Sequence, residues 1–351
     1  MIDEGTSPPP RSRRVTIKDV ARVAMVAPST VSKALNRAGS IPESTRIRVE
    51  EAAERLGYRP NALARGLRAG MSRSFGAVTD DDEGVFSTAI ARGLEHHAAA
   101  RDYSVFLSNS LGERAREQRH IQAFLDKQVD GLIIMDSVVR PRGAAAAKTG
   151  RTPLVYVYCY STELAVPSVI PDDRAAGRLA TTHLLTLGRT KIAHLTGPTS
   201  GAAAFEASAR RLEGYMDSHR EADLEVDPRL VVAADWDARS GYQAMSSLLA
   251  HGHRPDAVVC SNDYVAVGAI EAIKLSGLRV PEDVAVTGFD NRVIASGLSV
   301  PLTTVAADHD EMGRVAMSRL FEAVDGVAQH HELIEVAPRL ITRDSTTGRA
   351  D

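Results

Sequence analysis

Between Ala24 and Asn36 the chain reads AMVAPSTVSKALN, and these residue types suit one kind of chemistry. If a helix starts at Pro28, then Val31, Ala34 and Leu35 face inward. Pro28, Ser29, Ser32, Lys33 and Asn36 are left on the outer face, with Thr30 beside them. Small or hydrogen-bonding side chains in that array let a helix approach base edges in the DNA major groove. A second set lies far down the chain, where Asp172, Arg211, Trp236, Asn262 and Asp290 sit beside strand-like or helical runs. Ligands of open parallel sheets collect at strand ends, so these are candidate binding residues. The planar donor fork of Arg211 suits paired hydroxyls or a carboxylate. Trp236, the single tryptophan, offers a flat ring suited to the C–H face of a sugar. Each has a plainer reading: a helix cap for Asp172, a surface salt bridge for Arg211, lobe packing for Trp236. Asp263 is read as the cap of the helix that follows it.

No phosphate-cradling loop, dinucleotide glycine fingerprint, nucleophile elbow or His-Glu-x-x-His zinc site occurs. The expectation is a protein that is not an enzyme and holds no cofactor or metal. Cys159 and Cys260 each lie in an apolar run without a second thiol or a histidine at metal spacing, which points to core packing.

The elements that must position these residues can be read from periodicity. A first helix opens at Thr16, whose hydroxyl can cap it, with Asp19 three residues on as a variant of the capping box. Ile17, Val20, Ala21 and Ala24 then form one apolar face. After the turn Met25-Val26-Ala27, Pro28 suits the first position of a second helix, where its missing N–H has no partner to lose. A third helix from about Pro42 to Leu56 buries Val49, Ala52, Ala53 and Leu56, with Gly57 as its stop. Tyr58 to Arg68 holds a short candidate helix capped by Asn61.

From Phe75 onward the pattern changes to short β runs separated by helices. The expected strands are 75–79, 104–108, 131–136, 153–158, 191–196, 257–261 and 283–289, an order that argues for parallel sheets covered by helices. The pattern occurs once before and once after about residue 160, as two similar lobes. Residues 1–14, with Pro8-Pro9-Pro10 and three arginines, read as a disordered tail. Charge divides the same way: residues 1–70 carry 13 Lys and Arg against 7 Asp and Glu, net +6, so the remainder carries −9 of the overall −3. A basic module on an acidic body is expected of a DNA-binding head on a domain that does not bind DNA. No stretch approaches the roughly 20 apolar residues of a membrane span. The opening Met-Ile-Asp-Glu lacks the order of a signal peptide, so a cytoplasmic protein is expected.

The run TIKDVARVA…STVSKALN…TRIRVEEAAERLGYRPNALARGLR resembles the headpiece and hinge helix of the lactose/galactose-repressor family of bacterial regulators. The resemblance extends from Thr16 to about Ser345. It implies a small all-α helix-turn-helix headpiece plus hinge helix, joined to an α/β two-lobed periplasmic-binding-protein-like effector domain. The boundaries would be a tail at 1–14, a headpiece at 15–60, a hinge and linker at 61–72 and a ligand-binding and dimerisation domain at 73–345. DNA contacts are expected from Thr16, Pro28, Ser29, Thr30, Ser32, Lys33, Asn36, Asn61, Ala64 and Leu67, the leucine by position wedging into the minor groove. Ligand contacts are expected from Phe86, Asp172, Arg211, Trp236, Asn262 and Asp290. The implied function is a homodimeric repressor of carbohydrate-use genes on a roughly palindromic operator, answering to a sugar. A co-repressor type responding to a purine or nucleoside is the alternative, and a ligand-binding protein without a DNA role is a remoter one.

Three departures from the family pattern stand out. Met25 and Ala27 replace the usual Gly and Ser of the turn, and Gly66 replaces a Ser. The chain also has Asp80-Asp81-Asp82-Glu83-Gly84-Val85-Phe86 where the family has an Asn-Pro-Phe-Phe run. That acidic stretch is expected to be a solvated loop, with a cation or ligand amine as the other reading.

Overall fold

The structure is a computed structural model that describes residues 15–58, 71–81, 84, 86–143, 149–198 and 206–348. Two compact units divide the chain, one ending at Ser72 and the other starting at Arg73. The expected tail at 1–14 and the hinge residues Asn61, Ala64, Gly66 and Leu67 lie outside the described residues.

In the first unit, α1 (Ile17–Ala24), α2 (Pro28–Leu35) and α3 (Glu43–Arg55) enclose a core of Val20, Ala21, Ala24, Val31, Ala34, Val49, Ala52 and Ala53. The Asp19 carboxylate closes the start of α1, accepting from the Thr16 N–H at 3.0 Å and from its hydroxyl at 2.7 Å. Met25 ends α1 in the left-handed region at φ 52°, the conformation for which glycine is the usual choice. Ala27 begins α2 without a side-chain cap. Arg48 reaches from α3 to the Ala24 carbonyl at 3.0 Å and fixes the end of α1.

The second unit contains two six-stranded sheets. The chain first runs β1 (Ser74–Thr79), α4 (Ser87–Ala99), β2 (Ser104–Asn109), α5 (Arg114–Asp126), β3 (Gly131–Pro141), β4 (Leu154–Tyr160) and β5 (Pro167–Pro171). It then runs α6 (Asp173–Thr186), β6 (Ile192–Thr196), α7 (Glu206–Glu221), β7 (Val231–Ala233), α8 (Ala238–Ala250), β8 (Ala257–Cys260), α9 (Asp263–Leu275), β9 (Ala285–Phe289), α10 (Val293–Gly297) and β10 (Thr303–Ala306). Last come α11 (His309–Val324), β11 (Glu332–Val336), β12 (Arg339–Ile341) and α12 (Asp344–Thr347). The strand orders are β11-β5-β4-β3-β1-β2 and β12-β10-β9-β8-β6-β7. Only the β10–β12 pair is antiparallel among the described strands.

The expected division at residue 160 is therefore too simple. The two lobes are joined by three crossings, β5 to α6, β10 to α11 and β11 to β12, because the late strand β11 returns to pair with β5. Strands β5, β7, β10, β11 and β12 were not expected from the sequence. β5 begins and ends on proline, tolerated at a strand's first residue but a signal against a strand in sequence. Cys159 and Cys260 are buried, free thiols.

The acidic stretch is not a solvated loop where it is described. Asp80 accepts from the Ser137 N–H and from Arg140, both at 2.6 Å. Asp81, 5% exposed, accepts from the N–H groups of Phe86 and Ser87 at 2.8 Å each and so closes the first turn of α4. Asp82 and Glu83 lie outside the described residues.

Candidate DNA face and effector cleft

On α2, Val31 and Ala34 are buried under the helix while Pro28, Ser29, Lys33 and Asn36 are exposed and Thr30 and Ser32 half-buried. Thr16 is exposed at the start of α1. A helix held from one side by an apolar seam, with a polar opposite face free of bulky side chains, can be pressed into a groove. Asn36 donates Nδ2 to the Ser32 carbonyl at 2.8 Å, so its amide is oriented along the last turn.

In the second unit the site residues come from paired helices that cross at glycines. On α6 and α7, a Cβ on Gly177 would run into the Arg211 carbonyl oxygen and one on Gly214 into that of Arg174, so only glycine permits this approach. The same reciprocal crossing recurs at Gly241 with Gly268 on α8 and α9, and at Gly93 with Gly313 on α4 and α11. Each pair brings its N-terminal ends together, and those ends carry Asp172 with Arg211, Trp236 with Asn262, and Phe86 with His309.

Arg211 is 9% exposed, donates Nε to Asp173 at 2.8 Å and Nη1 to the Ser261 carbonyl at 2.6 Å. Its guanidinium lies 3.4 Å above the Phe289 ring centre and 6.0 Å from that of Trp236. Burial pushes the Asp173 carboxyl upward despite the attraction of Arg211. Asp290 follows β9 with φ 92°, a strained conformation for a residue with a side chain, and Arg292 approaches it at 3.5 Å. The Arg292 guanidinium stands 5.2 Å from both the Phe86 and the Tyr264 rings, one in each lobe. Phe86 stacks on Tyr158 at 5.5 Å, and the Tyr158 hydroxyl meets His309 Nε2 at 2.6 Å. Burial holds His309 below the usual histidine range and raises the Tyr158 hydroxyl well above the tyrosine one. A cavity of about 450 Å³ opens here between the lobes, lined by Phe86, Tyr264, Asp290, Arg292 and His309 among others.

Residues 16–61 match the model for bacterial regulatory proteins of the lacI family, and residues 181–346 match a periplasmic binding protein-like domain. An HTH-type transcriptional repressor PurR of Aliivibrio fischeri is 32% identical over 337 residues, 95% of this chain and 99% of that protein. The chain belongs to the LacI family. The ribose operon repressor of Escherichia coli is likewise 32% identical, over 94% of this chain and 99% of its own length. Among solved structures, the Lac repressor dimer bound to operator and the anti-inducer ONPF matches with a TM-score of 0.78 at 28% identity, covering 95% of this chain and 99% of that one. The CelR–cellobiose complex matches with 0.63 at 27%, covering 95% and 100%. This LacI-family protein is thus a DNA-binding transcriptional regulator with a helix-turn-helix head and a two-sheet, periplasmic-binding-protein-like body.

The structure of this LacI-family regulator brings Phe86 and Asp290 to one cavity and sets Arg211, Trp236 and Asn262 together at the strand ends of the second sheet. One of the sequence readings changes. Asn262, expected at the ligand, is also the N-cap of α9: it accepts from the Val265 N–H at 2.8 Å and donates to the Trp236 carbonyl at 2.9 Å. Asp263, expected as the cap, is instead buried and joins two loops, accepting from the Thr304 hydroxyl and the Arg292 N–H at 2.6 Å each. Asp172 caps α6 through the Ala175 N–H at 2.9 Å, its plainer reading. Arg211 is in an ion pair as its plainer reading required, but a buried one. Sequence reasoning missed Tyr158, Arg292 and His309. Tyr158 was on an expected strand end and Arg292 two residues past Asp290; His309 had no signal, because it opens α11 just after β10, a strand that went unread.

Among the described residues no helix is long and apolar enough to cross a membrane, and no cluster of His, Cys, Asp or Glu is arranged to hold a metal.

Proposed function

We propose that this regulator is a repressor that binds a palindromic operator as a homodimer and whose operator affinity answers to a neutral, polyhydroxylated molecule of the sugar class, bound and released unchanged between the lobes. The charge balance of the cleft carries the reading. Arg211 and Arg292 are matched by Asp173 and Asp290, so an ionised ligand would leave a buried charge without its counterpart, which is strongly unfavourable. The guanidinium forks and the Asp290 carboxylate offer donors and an acceptor for hydroxyls, and Trp236 and Phe86 offer flat faces. Dimerisation follows from symmetry: one headpiece makes few base contacts, and a two-fold pair reads both halves of a palindrome.

A neutral purine or nucleoside is the second reading, favoured by the Phe86–Tyr158–His309 stack, whose planes could lie against a base. One experiment separates the two. Trp236 emission is titrated with D-ribose, cellobiose, guanine and guanosine, and operator binding is measured with each. A response to a sugar that Arg211→Ala abolishes, with effector-free operator affinity retained, supports the reading. A response to the bases alone sinks it in favour of the second, and an unaltered response in Arg211→Ala would mean that the site is misplaced.

A further inference from the structure

The helix that carries Arg211 also carries two side chains that reach the other lobe. Glu206, in the first turn of α7, accepts a 3.0 Å hydrogen bond from the Tyr160 hydroxyl at the end of β4. Arg210, one turn on, meets Glu335 of β11 at 2.5 Å. α7 packs on the second sheet, whereas β4 and β11 belong to the first. Both bonds therefore cross between the lobes. Residues four apart lie on one helix face, so Glu206 and Arg210 form a single row facing the first lobe. Arg211, the next residue, turns the other way into the strand ends of the second sheet.

The place where this row lands matters. Asp172 follows the first crossing and Val336 precedes the third, and the Asp172 N–H donates to the Val336 carbonyl at 3.0 Å, tying the two crossings together. Arg210 stands within 3.8 Å of Asp172 and bonds the residue next to Val336. It therefore grips the hinge itself, with its side chain only 19% exposed. Arg210–Glu335 and Tyr160–Glu206 join atoms of different lobes, so a rotation of one lobe against the other acts on both.

We infer that Glu206 and Arg210 form a latch that ties the two lobes together, making them positioning residues that set effector affinity without touching the effector. The idea rests on the effector cleft described above, and its physical basis is a population shift: apparent affinity falls by the fraction of molecules in the competent state. Because Arg211 and Arg210 share one turn of helix, a ligand that draws on Arg211 also changes the strain on the latch.

The test needs no ligand, so it fails or succeeds independently of the sugar assignment. Spin labels are placed on the full chain at Glu95→Cys in α4 and Glu271→Cys in α9, both exposed, the native thiols being buried. The distance distribution between labels is then read by pulsed electron resonance. In the unaltered background one closed distance should dominate. Arg210→Met, Glu335→Gln and Tyr160→Phe should each raise a longer population, the two ion-pair variants by about five- to tenfold in the open-to-closed ratio. Arg210→Met with Glu335→Gln should open the cleft no further than Arg210→Met alone, because Arg210→Met already removes the Glu335 pair. Tyr160→Phe deletes a single oxygen and keeps the test valid if Arg210→Met folds poorly. Distributions unchanged in Tyr160→Phe and Glu335→Gln, or additive opening in the double variant, would overturn the latch.

Discussion

Two buried titratable groups in the second lobe act on stability with opposite signs, and replacing either should reveal the other. His194 on β6 is 1% exposed, donates Nδ1 to the Val259 carbonyl at 3.0 Å, and stacks on Tyr215 at 5.0 Å. The carbonyl can only accept, so Nδ1 carries a proton, and the buried Nε2 meets no acceptor that would favour a second one. Burial pulls its pKa down to about 4 from the ordinary 6.5. In the unfolded chain His194 takes up a proton near 6.5 while the folded protein refuses it until about 4. The stability from burying a neutral ring is thus complete above 6.5 and is lost as pH falls towards 4, a loss of about 3 kcal/mol. Burial pushes Asp263 up to about 7 from 3.8, despite its bonds to Thr304 and Arg292. The folded protein keeps that proton where the unfolded chain gives it up. Its stabilisation is complete below 3.8 and is lost as pH rises through 7, about 4 kcal/mol in all.

Between pH 4 and 6.5 each group contributes a slope of about 1.4 kcal/mol per pH unit, of opposite sign, and the two cancel. Urea unfolding of the full chain, followed by Trp236 emission at pH 5, 6, 7 and 8, measures the balance. Taken relative to the unaltered protein, Asp263→Asn should gain stability as pH rises from 5 to 7, and His194→Gln should gain as pH falls from 6.5 to 5. The difference between the two variants should therefore change by about 3 kcal/mol or more across the range. Two variants whose offsets from the unaltered protein are constant with pH would refute the assignment of buried, neutral His194 and protonated Asp263.

Gly177→Ala should destabilise the second lobe by more than about 2 kcal/mol, because the new methyl group meets the Arg211 backbone and α6 must move away from α7. Equilibrium denaturation gives the magnitude, and the Trp236 ligand response should weaken with it. In the headpiece, Met25→Gly should remove the strain of a left-handed residue and Ala27→Ser should restore a cap to α2, each worth about 1 kcal/mol, read as a higher melting temperature of that unit.

The headpiece was legible in the sequence because its signals are local. Val20, Ala21, Ala24, Val31 and Ala34 announce their helices by period alone, and the caps and stops lie within a few residues of what they terminate. In the body, the strands read correctly were apolar runs bounded by turns. The elements that went unread depend on partners distant in sequence: β11 alternates in burial and takes its meaning from β5, and β12 is three residues long. That Asn262 and not Asp263 caps α9 has the same origin. Both residues can cap a helix, and the choice is made by Thr304 and Arg292, which only the completed second sheet brings within reach of Asp263.

That dependence also explains how the cleft can be specific. Its side chains come from helices of both lobes, from the end of β4 and from the loop after β9, and few are held by their own neighbours in sequence alone. What fixes them is the close crossing at three glycine pairs, since a helix pair that cannot separate cannot let Arg211 drift from Asp173 or Trp236 from Asn262. The rigid pairs leave the three crossings between lobes as the place where motion can occur. Arg210, Glu335 and the tie from Asp172 to Val336 are concentrated there, within one helical turn of Arg211, the proposed ligand arginine. On this reading the protein would respond as two stiff bodies about one hinge, so substitutions in the glycine crossings should weaken binding together with stability, whereas substitutions at the hinge should change binding alone.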